Sequence, residues 1–453
     1  MRRVSGSALV GTVLALTGAA FMALFSFTST AAAATSWQLV TSPNPGTTTN
    51  QLKAVECQAA DDCWAVGKQQ TSSDPAQTLI EHWGGSSWSA ESNSGNVNNG
   101  ATHFANELNA ISCVSSADCW AVGSVLESSH YLPLWDHWDG TSWTANTFLV
   151  GFATDYEFNG VSCVDSSNCW AVGYKNSGTG RVVWIEQWDG SVWTDDPSTD
   201  AGVMNGVSCV DTSNCWAVGE DDSSNTLVEH WNGTAWSSQS SPNGASANDL
   251  LGVSCIGATN CWAVGSYFDP APSLARNLIE HWDGGAWSVA TNLAGSDNDS
   301  PQQNDNALFG VTCLSASYCW AIGNYQQSGQ PLRTVFDRYD GTSWSFVPDT
   351  PNNTIGNATN NVLRGVDCAD TGHCAAVGDV SFPDPTLILM FQVTAGPSPS
   401  PTPTPTSLPV PPAGLATSGG SAGGALVGPL TGLAAALVVA GALALRGARR
   451  RPD

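Results

Sequence analysis

The chain has 453 residues, of which 42% are hydrophobic and only 12% charged, a composition that excludes disorder over most of its length. Its formal net charge is −25, and with the arginines of the two chain ends set aside the remainder carries roughly thirty excess negative charges. So acidic a body repels nucleic acid, anionic polysaccharide and acidic lipid head groups; it leaves basic partners, neutral glycans and cations, and by itself does no more than keep an exported protein soluble.

In chain order, Met1-Arg-Arg, an apolar run from Ala8 to Phe27 and the small residues Ala31 to Ala34 read as a secretory signal peptide over residues 1–34. Export places the cysteines in an oxidising compartment. They come as Cys57/Cys63, Cys113/Cys119, Cys163/Cys169, Cys209/Cys215, Cys255/Cys261, Cys313/Cys319 and Cys368/Cys374, always with five residues between and with none left over, and are expected to be disulfides. Zinc is the poorer reading, because structural zinc takes shorter spacings and four ligands to a site.

Each pair lies in a unit such as Val161-Ser-Cys163-Val-Asp-Ser-Ser-Asn-Cys169-Trp-Ala-Val-Gly173, and the unit occurs seven times. A period of this length marks an array or a propeller. In the second copy, Leu108 to Cys113, Cys119 to Gly123, Leu134 to Trp138 and Trp143-Thr are four short apolar runs bounded by Gly, Asp, Asn and Ser, which suit strands A to D of one antiparallel sheet. The expected fold is all-β: a seven-bladed β-propeller of four-stranded antiparallel blades over residues 35–394.

The blade accounts for its own residues. Ala54, Ala110, Gly160, Gly206, Gly252, Gly310 and Gly365 stand three positions before the first cysteine, where innermost strands crowd the axis. A C-x5-C pair faces itself across the A–B hairpin with an expected Cα separation of about 4.5–5.5 Å, and closing so short a ring contributes roughly 2–2.5 kcal/mol in the chain-entropy model. Tryptophans follow the second cysteine, end strand C and begin strand D, where wedge-shaped gaps between blades call for large side chains. Trp37 precedes the first strand A, while the seventh copy stops after strand C at Leu387 to Val393. The N-terminal strand is therefore expected to close the last blade and leave no sheet edge.

A Gly after strand B followed by paired aromatics, such as Gly67 with Trp83 and Trp88, resembles the kelch repeat, with one Gly where that repeat has two. Asp139-Gly140-Thr-Ser-Trp143 resembles the Asp-box turn of sialidase-type propellers, with Asp one residue nearer to Trp. Over Trp37 to Val393 the chain is similar to exported bacterial propellers built of Cys-x5-Cys-Trp-Ala-Val-Gly repeats, a resemblance that implies the fold and no activity.

Residues 395–424 form a Pro/Thr/Ser-rich and then Gly/Ser-rich stalk, 425–445 an apolar span of membrane-crossing length, and 446–453 a basic tail on the cytoplasmic side. Leu415-Ala416-Thr417-Ser418-Gly419 resembles the Leu-Ala-x-Thr-Gly sorting signal read by sortase, with Ser418 where Thr is expected; a plain membrane anchor is the alternative. Both place a monomeric propeller outside the cell.

Alternating strand direction puts the short A–B and C–D turns on one face and the long, varied B–C and D–A connections on the other. The residues near those loops that depart from the repeat are the expected ligand contacts: Trp135, Trp184, Tyr156, Tyr174 and Tyr267, aromatics able to stack on sugar rings. The Glu/Asp-His pairs of strand C recur and are read as interblade packing rather than metal sites. Asp221-Asp222 and Asp297-Asn-Asp299 offer carboxylates to calcium but lack the Gly and terminal Glu of an EF-hand loop, so no cofactor is expected. No nucleophile elbow, phosphate loop or HExxH helix occurs. Two readings follow: a surface-displayed binding, adhesion or scaffold module for an extracellular glycan or protein, with membrane contact only through its anchor, and a glycoside hydrolase or lyase using rim carboxylates.

Overall fold

The computed structural model describes residues 35–393, apart from segments 92–95, 98–103, 148–154, 291–292, 295–302, 353–359 and 382–384 and eight single loop positions. The signal peptide, the stalk, the candidate span at 425–445 and the sorting motif lie outside the described residues. Within them the chain is a seven-bladed β-propeller of four-stranded antiparallel blades, without helices. Blade 1 consists of Thr49–Ala59, Asp62–Gln70, Gln77–Trp83 and Trp88–Ala90, strands A to D from the axis outwards. Blades 2 to 6 repeat this order. Blades 5 and 6 are also linked by a two-residue parallel pairing of Leu293–Ala294 with strand D of blade 6 and by a parallel bridge between Ala275 and Asp305.

Blade 7 is assembled from both ends of the fold. Thr35–Val40 pairs antiparallel with Thr386–Val393, placing Trp37 opposite Phe391. Trp37 is buried against Phe336, Trp320 and Phe391, at ring-centroid distances of 4.4, 5.4 and 5.5 Å. That strand is the expected closure.

The cysteines pair as expected, in seven local disulfides: Cys57–Cys63, Cys113–Cys119, Cys163–Cys169, Cys209–Cys215, Cys255–Cys261, Cys313–Cys319 and Cys368–Cys374, with none free. Their geometry differs from the expectation in one respect. The Cα atoms stand 3.9–4.1 Å apart, closer than the roughly 4.5–5.5 Å that facing residues of an antiparallel pair usually keep. A register irregularity follows each first cysteine as the chain turns into strand B. Nor do these cysteines form a surface site. The second of each pair, Cys63, Cys119, Cys169, Cys215, Cys261, Cys319 and Cys374, is core, at most 2% exposed, because strand B is covered by a neighbouring blade. Their role is structural: each bridge ties strand A to a buried point of strand B.

The tryptophans form one repeated joint. The strand-B indole of each blade packs against the aromatic ending strand C and the one opening strand D of the next: Trp64 on Trp138 and Trp143, Trp120 on Trp188 and Trp193, Trp170 on Trp231 and Trp236. Trp262 meets Tyr339 and Trp344 in the same way, and Trp320 meets Phe391 and Trp37. Every hydrophobic cluster therefore spans two blades, and a single blade has no core of its own. In the joint between blades 7 and 1 the strand-B position is Ala375, facing Trp83 and Trp88.

The C–D turn shows why its sequence is Asp-Gly. Asp139 Oδ1 accepts from the backbone N–H of Thr141 (2.8 Å) and of Ser142 (2.9 Å), and Gly140 takes φ +87°, a backbone conformation that side chains disfavour. A Cβ on Gly140 would also stand 2.9 Å from that of Ala117 in the neighbouring A–B turn.

Candidate functional site

The strands nearest the axis each carry a β-bulge just after a buried apolar side chain, as the register shift between Phe158 and Gly160 shows for blade 3. A bulge re-aims one side chain. The seven bulge residues, Lys53, Asn109, Asn159, Asn205, Leu251, Phe309 and Arg364, thereby share one level around the central channel. Where they are amides they tie blade to blade: Asn109 donates to the Phe158 carbonyl (2.7 Å), Asn159 to that of Met204 (3.0 Å) and Asn205 to that of Leu250 (3.0 Å). The small residues beside them are required by crowding, since a Cβ on Gly160 would stand 3.1 Å from the Gly206 Cα and one on Gly365 2.8 Å from the Ala54 Cα.

Nearer the A–B face lies a second ring. Ser112, Ser162, Ser208 and Ser254 each accept the N–H of the next blade's first cysteine at 3.1 Å. In blade 7 this role passes to Asp367, which accepts from Cys57 N (2.8 Å) and the Thr312 hydroxyl (3.0 Å), and in blade 1 the position holds Glu56. Desolvation, then the neighbouring Asp367, raises the Glu56 carboxyl well above its ordinary value, and desolvation raises Asp367 likewise, so the two resist ionising together. Between the two rings and the strands that carry them is a polar cavity of about 390 Å³.

Towards the long-loop face the channel mouth is charged. Lys53 and Lys68 both pair with Glu107, the second at 3.1 Å. Burial pushes the Glu107 carboxyl up, but the two ammonium groups outweigh it and hold the group below its usual range. Arg364 pairs with Asp379 at 2.7 Å, and Arg181 with Glu220 at 3.0 Å. Lys53, Glu56, Arg364 and Asp367 were not among the expected contacts, yet the repeat marks them, for each breaks a column that is otherwise Asn, Leu or Phe, or Ser or Thr.

Among the expected aromatics, the loop exposure expected of Trp135 and Trp184 is corrected: they are buried, 6% and 2% exposed. Strand C runs further than its short apolar stretch indicates, His130–Trp138 and Arg181–Trp188, so both indoles sit in mid-strand, paired with Val122 and Gly173, and face the neighbouring blade instead of a loop. Tyr156 is part of the same wedge, edge-on to Trp184 at 4.9 Å. Tyr267 packs partly buried in the wedge between blades 4 and 5, against which a Cβ on Gly244 would collide. Tyr174 does reach the channel mouth, where its hydroxyl donates to Glu157 at 3.1 Å; desolvation and that carboxylate push its phenol up.

The strand-C pairs divide between the two sheet faces, as adjacent residues of a strand must. His82 and His137 bond Asp62 and Asp118 of their own blade, both at 2.8 Å, and stack on Trp64 and Trp120. Glu81 points the other way and accepts from Ser42, at 2.8 and 2.9 Å, across the interblade gap. The Asp221 carboxylate is engaged by the Ser223 and Asn225 backbone (2.8 Å each), and Asp222 lies 3.6 Å from the Arg181 guanidinium. Asp297 and Asp299 lie outside the described residues, among which no cluster of three His, Cys, Asp or Glu side chains is placed to hold a metal.

No protein-family model matches the sequence, and no curated protein matches it. Solved structures do share the fold. The GH74 xyloglucanase from Xanthomonas campestris superposes with TM-score 0.50 at 11% identity over 77% of this chain and 53% of its own, so the chain spans about half of that enzyme. YCF48 bound to a D1 peptide matches with TM-score 0.48 at 13% identity, over 80% of this chain and 99% of that one. Aleuria aurantia lectin, a six-bladed propeller with a fucose recognition mode, gives TM-score 0.41 at 13% identity over 66% and 96%. At these identities the likeness is one of fold.

Proposed function

We propose that the propeller is an extracellular binding module for a glycan or protein partner, held at the cell surface by its C-terminal segment. Seven disulfides belong to an oxidising compartment, which supports the exported setting. The observation that carries the reading is where the repeat breaks. Lys53 and Arg364, with Glu56 and Asp367 beneath them, fall on adjacent blades 1 and 7 and line one side of the channel. Whatever the fold alone demands recurs in all blades; four departures on one side of the axis serve something else. They make a concave, hydrogen-bonding mouth with cations on a strongly acidic body, suited to a partner that offers hydroxyl, amide or carboxyl groups.

Screening the disulfide-bonded ectodomain, residues 35–394, on glycan and peptide panels tests the reading. Retention without released product is the expected outcome, and Arg364→Ala and Lys53→Ala are expected to weaken it. Release of product from a glycan would transfer the protein to the hydrolases or lyases, and no retention on any extracellular material would sink the binding role.

A further inference from the structure

The crevice between blades 2 and 3 opens into a cavity of about 390 Å³, lined by Trp120, Trp135 and Asn146 of blade 2 and Glu186, Trp188 and Trp193 of blade 3. That is within the roughly 300–1,000 Å³ of small-molecule sites. The corresponding crevice between blades 5 and 6, with Trp262, Tyr339 and Trp344 in its wall, measures about 190 Å³ and stops short of the strand-C acid Asp337. The larger crevice thus reaches inward to a carboxyl, and its inner wall is the one place in the strand-C column where Ile80, Ile185, Val228, Ile279, Phe336 and Ile388 are replaced by a tryptophan, Trp135.

Glu186 is 5% exposed, and its Oε2 has no hydrogen-bond partner. In three other blades the equivalent carboxyl accepts from a serine hydroxyl of the preceding blade: Ser42 serves Glu81, Ser198 serves Glu229 at 3.1 Å, and Ser241 serves Glu280. Those serines are the fifth residue after Trp37, Trp193 and Trp236; the fifth after Trp143 is Phe148, a residue without a hydroxyl. A buried acceptor left unmatched is destabilising, so the missing donor is a defect that a ligand can repair.

We infer that this crevice binds a neutral sugar ring, one hydroxyl of which donates to Glu186 in place of the absent serine while a C–H face lies on the indole wall. Three features favour a sugar over a cation. Burial, then Asp195, raises the Glu186 carboxyl to about 8, so near neutral pH it meets an uncharged hydroxyl at less cost than it meets an ammonium group. Asn146 and Ser191 line the same cavity and add donors and acceptors of the kind that read further hydroxyls. Apart from Val192 the remaining wall is tryptophan, which supplies apolar area and a polar N–H together. The inference rests on the binding reading above and narrows its ligand, at a place remote from the channel residues Lys53 and Arg364.

Ligand-observed saturation-transfer NMR of the oxidised ectodomain tests it, with methyl glycosides of glucose, galactose, mannose, fucose and N-acetylglucosamine as probes and tetramethylammonium as the cationic control. At least one glycoside is expected to bind. Glu186→Leu, which removes the buried acid without opening space, is expected to keep or raise the melting temperature and to weaken that glycoside about tenfold or more. Leu39→Ser, at an exposed position of the closing strand in blade 7, is expected to leave it unchanged. Binding of tetramethylammonium in preference to every glycoside, glycoside binding indifferent to Glu186→Leu, or no glycoside binding by the folded protein would each overturn the sugar site. In the last case retention of a macromolecular partner that is lost in Arg364→Ala would leave the binding module standing; loss of both would remove it too.

Discussion

The indole of Trp184 lies on the ring of Phe158 with centroids 4.2 Å apart and planes 14° from parallel. In the other blades the Trp184 position is Leu79, Leu134, Leu227, Leu278, Val335 or Leu387, and the Phe158 position is Leu52, Leu108, Met204, Leu250, Leu308 or Leu363. One wedge has enlarged both partners together. Trp184→Ala is expected to cost about 3–5 kcal/mol of stability as a buried aromatic deletion. Trp184→Leu and Phe158→Leu combined should cost less than the sum of the two single changes, because together they restore the pairing of the other blades. Denaturant unfolding of the four proteins of the cycle measures this; strict additivity would show that the two rings are packed independently.

Ring closure depends on a strand contributed from the far end of the fold. Removing residues 36–43 exposes strand C of blade 7, whose Leu387, Ile388, Leu389, Met390 and Phe391 are all buried in the closed ring. It also takes away Ser42, which serves both Glu81 and Thr386. The shortened ectodomain is expected to self-associate through that edge and to melt at lower temperature, as size-exclusion chromatography and calorimetry would record. Unchanged elution and melting would mean that blade 7 does not need the N-terminal strand.

The buried acids set a pH dependence of definite sign. Desolvation raises Glu81, Glu229 and Glu280 to about 7 and Asp136 to about 8. The folded state therefore binds more protons than the unfolded one between the ordinary carboxylate range and these values, and the stability is present at low pH and lost as pH rises through 7 to 8. Asp139 and Asp340 work the other way: turn hydrogen bonds hold each at about 2, so their contribution is present above the ordinary range and lost as pH falls towards 2. The melting temperature is expected to peak in mildly acid solution, near pH 4–5, and to fall towards pH 8. Glu81→Gln, which retains the size and a hydrogen bond to Ser42, should flatten the alkaline limb; a melting temperature that climbs steadily from pH 5 to 8 would contradict the assignment.

Much of this protein was legible because it repeats. Cysteine spacing, the small residue three positions before each first cysteine, the tryptophan columns and the mismatch between Trp37 and the truncated seventh copy each state a local rule seven times or break it once. Such rules follow from strand periodicity, hairpin geometry and crowding at an axis, all set by neighbours in the chain. The partners across the interblade gaps were not legible in that way. Whether Trp135 and Trp184 face solvent or a neighbouring blade depends on how far strand C extends and which sheet face packs inward, and the packing of blade on blade decided that both are core. Only the closed ring sets Glu56 beside Asp367, from opposite ends of the propeller sequence, and only the packing of blade on blade buries Glu186 with one carboxyl oxygen unbonded. Those contacts join residues that no local period relates, and their energies arise from desolvation and shape across an interface that exists only once the blades have closed around the axis.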